Sequence, residues 1–316
     1  MGEPCGAPLA PAPQNEPAAA PSLPLFPDPA GLDADLLAFL QQASDQLCRW
    51  WGDSSQRSPL PLLSVLPEVA PAEAGLDPLA LLDDLQLVMD GAFNPVHPGS
   101  MAHLDPPPLT ASVAADLICA GLNNNLLAEE LSPSLSRLER SLCAWMAERL
   151  GLGDQAGGVA ASGGSLSNLM ALVVARQQRH LVGAQDALVF CSADAHVSIA
   201  KALAVMGLPP SALNPVAVDG RGCVQVDQLA AQLDAAIAAG QPVLAVVATA
   251  GTTVRGAIDP LDQIAEICRA RQIWLHVDGA IGAVFGLSSS HAALVQGLGL
   301  ADSLTVNPQK LLGITK

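Results

Sequence analysis

Residues 243–278 read VLAVVATAGTTVRGAIDPLDQIAEICRARQIWLHVD. An unbroken apolar run (Val243–Thr249) leads into a turn rich in Gly and Thr. A segment with apolar residues at helical spacing (Leu261–Arg271) follows, and then a second apolar run (Ile273–Val277) that stops at Asp278. Continuous apolar runs are the mark of strands covered on both faces, and a helix between two of them makes a crossover unit with parallel strands. The same alternation extends outward from this stretch. Further strands are expected at Ala187–Cys191, Pro215–Val218 and Ser303–Val306, and further helices at Ser165–Arg179, Val197–Met206 and Val226–Ala239. The fold class is therefore α/β, a mostly parallel sheet with helices on both faces.

Upstream, helical patterns cover Asp33–Trp51, Asp77–Phe93, Ala111–Glu129 and Leu135–Leu150, and a Pro-rich loop (Ser58–Pro71) separates the first two. Residues 1–30 are dominated by Pro and Ala without apolar periodicity and are expected to be a disordered tail. Residues 31–110 are expected to form a helical N-terminal segment, and residues 111–316 the main α/β domain.

Composition removes several function classes. Half of the 316 residues are hydrophobic and 14% are charged, which is ample for a buried core. The net charge of −16 repels phosphate backbones, so neither nucleic acid nor an anionic membrane is an expected partner. No apolar run reaches the ~18 residues of a membrane span, and no secretory signal pattern opens the chain, so a cytoplasmic location is expected. The seven cysteines are widely spaced without a C-x-x-C pair. They read as reduced, mostly core-packing thiols. The six histidines form no ligand pair at zinc-site spacing, so no metal is expected.

In parallel sheets ligands collect beyond the carboxyl ends of the strands. Five polar groups fall at such places. Ser162-Gly163-Gly164-Ser165 opens a helix, where backbone N–H groups and the positive dipole end suit a phosphate. His196 follows the strand Ala187–Cys191 and offers a flat ring for stacking. Thr249, Thr252 and Thr253 follow Val243–Ala248 with Gly251 among them. Asp278 ends its strand beside the small residues Gly279 and Ala280, where a carboxylate can face a cationic ring. Lys310 comes after Ser303–Val306 in Asn307-Pro308-Gln309-Lys310, separated from Asp278 by one helix pattern. It is one of three lysines, with Lys201 and Lys316, and a primary amine in such a place becomes nucleophilic when desolvated. A phosphate cradle, a stacking ring, hydroxyls, an acid and an amine are what a pyridoxal 5'-phosphate site requires.

On these residues the sequence resembles the group II pyridoxal-phosphate-dependent amino-acid decarboxylases (glutamate, aromatic-amino-acid and 2,4-diaminobutyrate decarboxylases among them). The matching segments are HPGSMAHLDPPP (97–108), SGGSLSNLMAL (162–172), ADAHVSIAKA (193–202), ATAGTTVRGAIDPL (248–261), WLHVDGAIG (274–282) and DSLTVNPQKLLG (302–313). The resemblance implies a fold-type I architecture, a cytoplasmic homodimer with active sites at its interface, and decarboxylation of a small-molecule amino-acid substrate. By motif position it implies that Lys310 carries the cofactor and Asp278 partners its ring nitrogen. His196 would stack on the ring and take part in protonation. Gly163, Gly164 and Ser165 would hold the phosphate, Thr249 and Ala280 would flank the ring, Asn307 would join the cofactor-binding set, and His103 would border the substrate.

Two departures stand out. Gln309 occupies the place where the family usually has His. The chain also stops six residues after Lys310, where family members continue through a mobile loop and a small C-terminal domain, so a truncated product is expected. Two alternatives remain at this stage: another fold-type I enzyme (an aminotransferase or aldehyde-forming relative), and a truncated, non-catalytic member. The 97–108 segment and ADAHVSIAKA favour the decarboxylase branch.

Overall fold

The computed structural model describes residues 23–62, 66–67, 70, 75–101 and 104–315. His103 and most of the expected tail, residues 1–22, lie outside the described residues. The chain divides into two compact units, Met1–Met101 and Ala102–Lys316.

In the first unit, α1 (Ala34–Gly52) starts at Asp33, whose carboxylate accepts the Leu36 N–H at 2.8 Å. In α2 (Pro78–Asp90), Asp77 caps in the same way, accepting from Leu79 N–H, with Pro78 at the first helical position where its missing N–H costs nothing. Trp50 and Leu82 are the buried side chains of these two helices, and Gln46 Nε2 donates to the Leu82 carbonyl at 2.9 Å.

The second unit begins with α3 (Thr110–Leu122) and α4 (Pro133–Arg149). The pattern predicts a helix continuing to Glu129, but α3 stops seven residues earlier. Asn123 takes a left-handed conformation (φ 45°) and the Asn124 amide donates back to the Leu122 carbonyl at 2.7 Å. Asparagine tolerates that conformation and competes for backbone groups, so the Asn123–Asn125 run ends the helix despite the apolar spacing around it.

The sheet contains β1 (Leu188–Ser192), β2 (Leu213–Val216), β3 (Val243–Thr249), β4 (Trp274–Gly279) and β5 (Ser303–Val306). The spatial order is β2-β1-β3-β4-β5 and every pairing is parallel. This fits the expected sheet, with bounds shifted by two residues or fewer at each end. α5 (Gly164–Gln178) and α6 (Ser198–Val205) cover one face through Leu172, Ala175, Ile199 and Leu203, which pack with Val189, Cys191, Leu244 and Val247. α7 (Val226–Ala238) and α8 (Leu261–Ala270) cover the other through Leu229, Leu233, Ile264 and Cys268, which pack with Phe190, Val246, Leu275 and Val277. Period-two alternation along the strands divides the two cores.

Between β4 and β5 a single helix is expected, and the structure has three short 3-10 turns instead: Ala283–Leu287, Ala292–Val295 and Leu298–Leu300. Gly282, Gly286, Gly297 and Gly299, together with the Ser288–Ser290 run, deny this segment the propensity a longer helix needs. The thiols also divide differently from the expectation. Cys191 and Cys268 are buried, and burial pushes both up to about 12, whereas Cys48 and Cys119 are exposed. No helix among the described residues is long and apolar enough to cross a membrane.

The loops beyond β3 and β4 meet closely. Gly282 N–H donates to the Ala250 carbonyl at 2.8 Å, and a Cβ on Gly282 would lie 2.6 Å from that same oxygen. Replacing Gly282 with Ala forces the two backbones apart, and we expect a loss of about 1–3 kcal/mol in denaturant unfolding. Unchanged stability would mean that the loops yield freely.

Candidate active site

The carboxyl ends of β1, β3, β4 and β5 converge on a cavity of about 230 Å³. Its lining includes Gly164, Ser165, His196, Thr249, Asp278, Ala280, Asn307 and Lys310. A strand order of 2-1-3-4-5 reverses direction between β1 and β3, where doubly wound sheets bind ligands. Of the residues singled out in the sequence, Ser162, Gly163 and Thr252 are not part of this lining, and Gly163, at the mouth of α5, lines an adjacent apolar cavity with Gly164.

Each functional side chain is set by its element. Asp278 lies on the face of β4 covered by α5, as does His276 two residues earlier, whereas Leu275 and Val277 face α7 and α8. The Asp278 carboxylate is buried and accepts from Asn168 Nδ2 at 2.9 Å through Oδ2 and from Ala280 N–H at 3.2 Å through Oδ1. An ionised carboxylate has about four acceptor positions, so capacity remains on the cavity side. Lys310 is half-buried in α9 (Pro308–Leu312), which Asn307 caps by accepting from Gln309 N–H at 3.2 Å. Lys201, by contrast, lies exposed on α6. Gln309 turns to Asp105 and donates to it at 2.9 Å.

α5 opens at Gly163, whose φ of 149° suits glycine, and no side chain caps the helix, so its first N–H groups stay available to an anion. Thr249 Oγ1 is buried and has no hydrogen-bond partner among the described residues, although the residue lines the cavity. A buried orphan hydroxyl beside an open cavity is what a site built for a polar ligand leaves behind. An amine, a carboxylate, a ring, an orphan hydroxyl and a helix N-terminus together fit pyridoxal phosphate.

The structure adds residues that sequence reading passed over. Asn168 Nδ2 also donates to Ser198 Oγ at 2.9 Å, and Ser198 Oγ meets His196 Nδ1 at 2.8 Å. His276 Nε2 meets Asn168 Oδ1 at 3.1 Å, and its Nδ1 meets Ser303 Oγ at 2.9 Å. His276 had a signal in the sequence: period two places it on the same face as Asp278. Asn168 and Ser198 lie on helices whose rotation relative to the sheet no local pattern fixes.

Burial drives the His276 imidazole well below its ordinary value of 6.5, against the opposing pull of the Asp278 charge. A lowered imidazole contributes stability above the unfolded value, and that contribution is lost as pH falls from 6.5 toward the folded one. Asp259 works in the opposite sense. Burial raises it to about 6, despite N–H donors from Val224 and Thr249 at 2.8 Å each, so its contribution is lost as pH rises through that value. Comparing variants isolates His276. Between about pH 7 and about pH 5 the melting temperature of His276→Gln is expected to fall less steeply than that of the unaltered protein. Parallel slopes would mean that His276 is not held neutral.

A family model described as the pyridoxal-dependent decarboxylase conserved domain matches residues 59–316. The chain is 34% identical over 244 residues to the aromatic-L-amino-acid decarboxylase of Bacillus atrophaeus, covering 76% of this chain and 50% of that protein. It is 35% identical over 250 residues to the L-2,4-diaminobutyrate decarboxylase of Rhizobium meliloti, covering 79% and 50%. Among solved structures, mouse CSAD in apo form superposes with a TM-score of 0.81 at 29% identity, covering 89% of this chain and 62% of that one. The chain thus spans about half the length of these curated relatives. With the matched region reaching across the α/β unit and every strand-end residue of the cavity, this chain belongs to the pyridoxal-dependent decarboxylase family.

Proposed function

We propose that this protein is a carboxy-lyase that releases the α-carboxylate of an L-amino acid as CO₂ and yields the amine, with pyridoxal phosphate attached through Lys310. The observation that carries the reading is that Lys310, Asp278 and His196 line one cavity at the ends of parallel strands. The bound cofactor supplies an electron sink for the pair left behind when CO₂ departs. Asp278, buried and oriented by two donors, would partner the cofactor's ring nitrogen and hold a proton there. His196, in the cavity lining, would stack on the ring, and with Nδ1 occupied by Ser198 its Nε2 would be the atom that holds or moves a proton.

The N–H groups at Gly164 and Ser165, with that of Gly163 just outside the lining, would receive the phosphate, and Asn307 would belong to the same binding set. Thr249 Oγ1 finds its missing partner on the cofactor, while the small side chain of Ala280 leaves room for the ring. On this reading residues 111–316 are the cofactor-binding domain, residues 31–110 the helical and substrate-side segment, and the protein works as a cytoplasmic homodimer. α3 and α4 expose Ile118, Leu122, Leu138 and Trp145, apolar surface suited to a second copy.

Borohydride reduction after incubation with pyridoxal phosphate should leave the added mass on the peptide containing Lys310. Lys310→Ala should lose that mass and all turnover, whereas Lys201→Ala should keep both. Label on Lys201 or on no lysine would overturn the assignment.

Assays on a panel of amino acids should give CO₂ and amine in equal amounts. Keto-acid formation in place of CO₂ would point to an aminotransferase. Asp278→Asn, which cannot hold a negative charge beside the ring, should lower turnover roughly 10²- to 10³-fold. Turnover near that of the unaltered protein would remove Asp278 from its role.

A further inference from the structure

We infer that Asn168 is a positioning residue whose single amide orients the Asp278 carboxylate and, through the Ser198 hydroxyl, reinforces the Nε2–H tautomer of His196, in a hydrogen-bond chain that runs in one direction. The argument for its bearing on catalysis rests on the decarboxylase reading, but the proton arrangement itself does not.

The direction follows from the ends of the chain. Trp274 Nε1–H can only donate, and it donates to Ser303 Oγ at 2.9 Å. The Ser303 hydroxyl proton is then free to point to His276 Nδ1, 2.9 Å away. His276 is fully buried and neutral, so with Nδ1 accepting, its one proton sits on Nε2 and donates to Asn168 Oδ1 at 3.1 Å. The Asn168 amide is thereby turned with both N–H groups forward. One goes to Asp278 Oδ2 and the other to Ser198 Oγ, each at 2.9 Å.

Asp278 ends the first branch as a pure acceptor. In the second, the Ser198 backbone N–H donates to His196 Nδ1 at 3.2 Å and makes that nitrogen an acceptor, so Ser198 Oγ, which accepts from Asn168, directs its own proton to the same nitrogen at 2.8 Å. Two donors on Nδ1 leave His196 with its proton on Nε2. Reversing the Asn168 amide would set its oxygen against the carboxylate and its NH₂ against a ring N–H. Both conflicts occur where Asn168, Ser198 and His276 are all buried, so neither is relieved by water.

The two groups proposed to face opposite parts of the cofactor, the acid at its ring nitrogen and the imidazole over its face, therefore share one support. Losing the Asn168 amide weakens the hold on both at once, whereas losing the Ser198 hydroxyl weakens it on His196 alone.

The test is two-bond ¹H–¹⁵N spectroscopy on the full chain labelled with ¹⁵N-histidine and without added cofactor, with resonances assigned through His196→Gln and His276→Gln. Both imidazoles should carry a proton on Nε2, with Nδ1 accepting. Asn168→Leu, which keeps the approximate shape and removes the amide, should shift the ring nitrogens of both. Ser198→Ala should shift those of His196 and leave His276 unchanged.

A proton on Nδ1 of His196 in the unaltered protein would overturn the proposal, and so would an Asn168→Leu protein with both imidazoles unmoved. If Asn168→Leu does not fold, Ser198→Ala decides: an unmoved His196 refutes the chain. A second reading is affinity for pyridoxal phosphate, expected to weaken about tenfold or more in Asn168→Leu. Absence of any pyridoxal phosphate binding by the unaltered protein would defeat the decarboxylase reading and leave the spectroscopic result to judge Asn168 alone.

Discussion

A carboxylate buried at the end of a central strand has to be met by donors, and the way Asp278 is met organises this structure. An unpaired buried charge costs several kcal/mol, so the donors must be in place before any ligand arrives. One is the Ala280 N–H, supplied by the turn that follows β4. The other is the Asn168 amide, which requires α5 to lie across β4 at a particular height and rotation. That same placement brings the N-terminus of α5 to the cavity and sets Ser167 Oγ 2.9 Å from Thr305 Oγ1 on β5. Gly164 permits the approach, since a Cβ there would already lie 3.3 Å from that of Ala280. Satisfying the acid and presenting a helix end to an anion are thus two results of one packing arrangement.

The second buried carboxylate shows what makes Asp278 different. Asp259 also accepts two backbone N–H groups, from Val224 and Thr249, but these tie the segment before α7 to the end of β3, and Asp259 is not part of the lining of the cavity that Asp278 faces. Burial outweighs the donors and raises it to about 6. Both aspartates end up inside for reasons of chain path. Asp278 alone keeps acceptor capacity toward open space, and that, rather than burial, marks it as a chemical group.

Much of this was legible in the sequence because strands and helices in a parallel sheet announce themselves by period. The limits of β3 and β5 coincide with their apolar runs, and the strand-end residues Thr249, Asp278 and Lys310 were readable from those limits. What was not legible depends on contacts between elements distant in the chain. Asn168 and Asp278 are 110 positions apart, and nothing in α5 tells Asn168 from the polar residues on its exposed side. The early end of α3 and the 3-10 turns after β4 failed for a local reason: apolar spacing outweighed Asn and Gly chemistry in the reading.

Gln309 carries the argument one step further. α9 has five residues, too few to hold a helical turn by itself, and yet it presents the amine on which the proposed chemistry depends. Its support comes from the segment leading into α3. Gln309 donates to Asp105 across 204 positions, Leu109 N–H donates to the Gly313 carbonyl at 2.6 Å, and Thr315 N–H donates to Ser112 Oγ at 3.1 Å. Gly313, with φ of 66°, closes the helix so near Pro107 that a Cβ would lie 2.9 Å from its carbonyl oxygen. Gln309, spent on this brace, is not part of the cavity lining, whereas Gly164 and Ser165 at the α5 N-terminus are. The stiff Pro106–Pro108 run then has a physical purpose. It fixes the backbone against which the lysine turn is held, and the amine inherits its position from prolines that never touch the cavity.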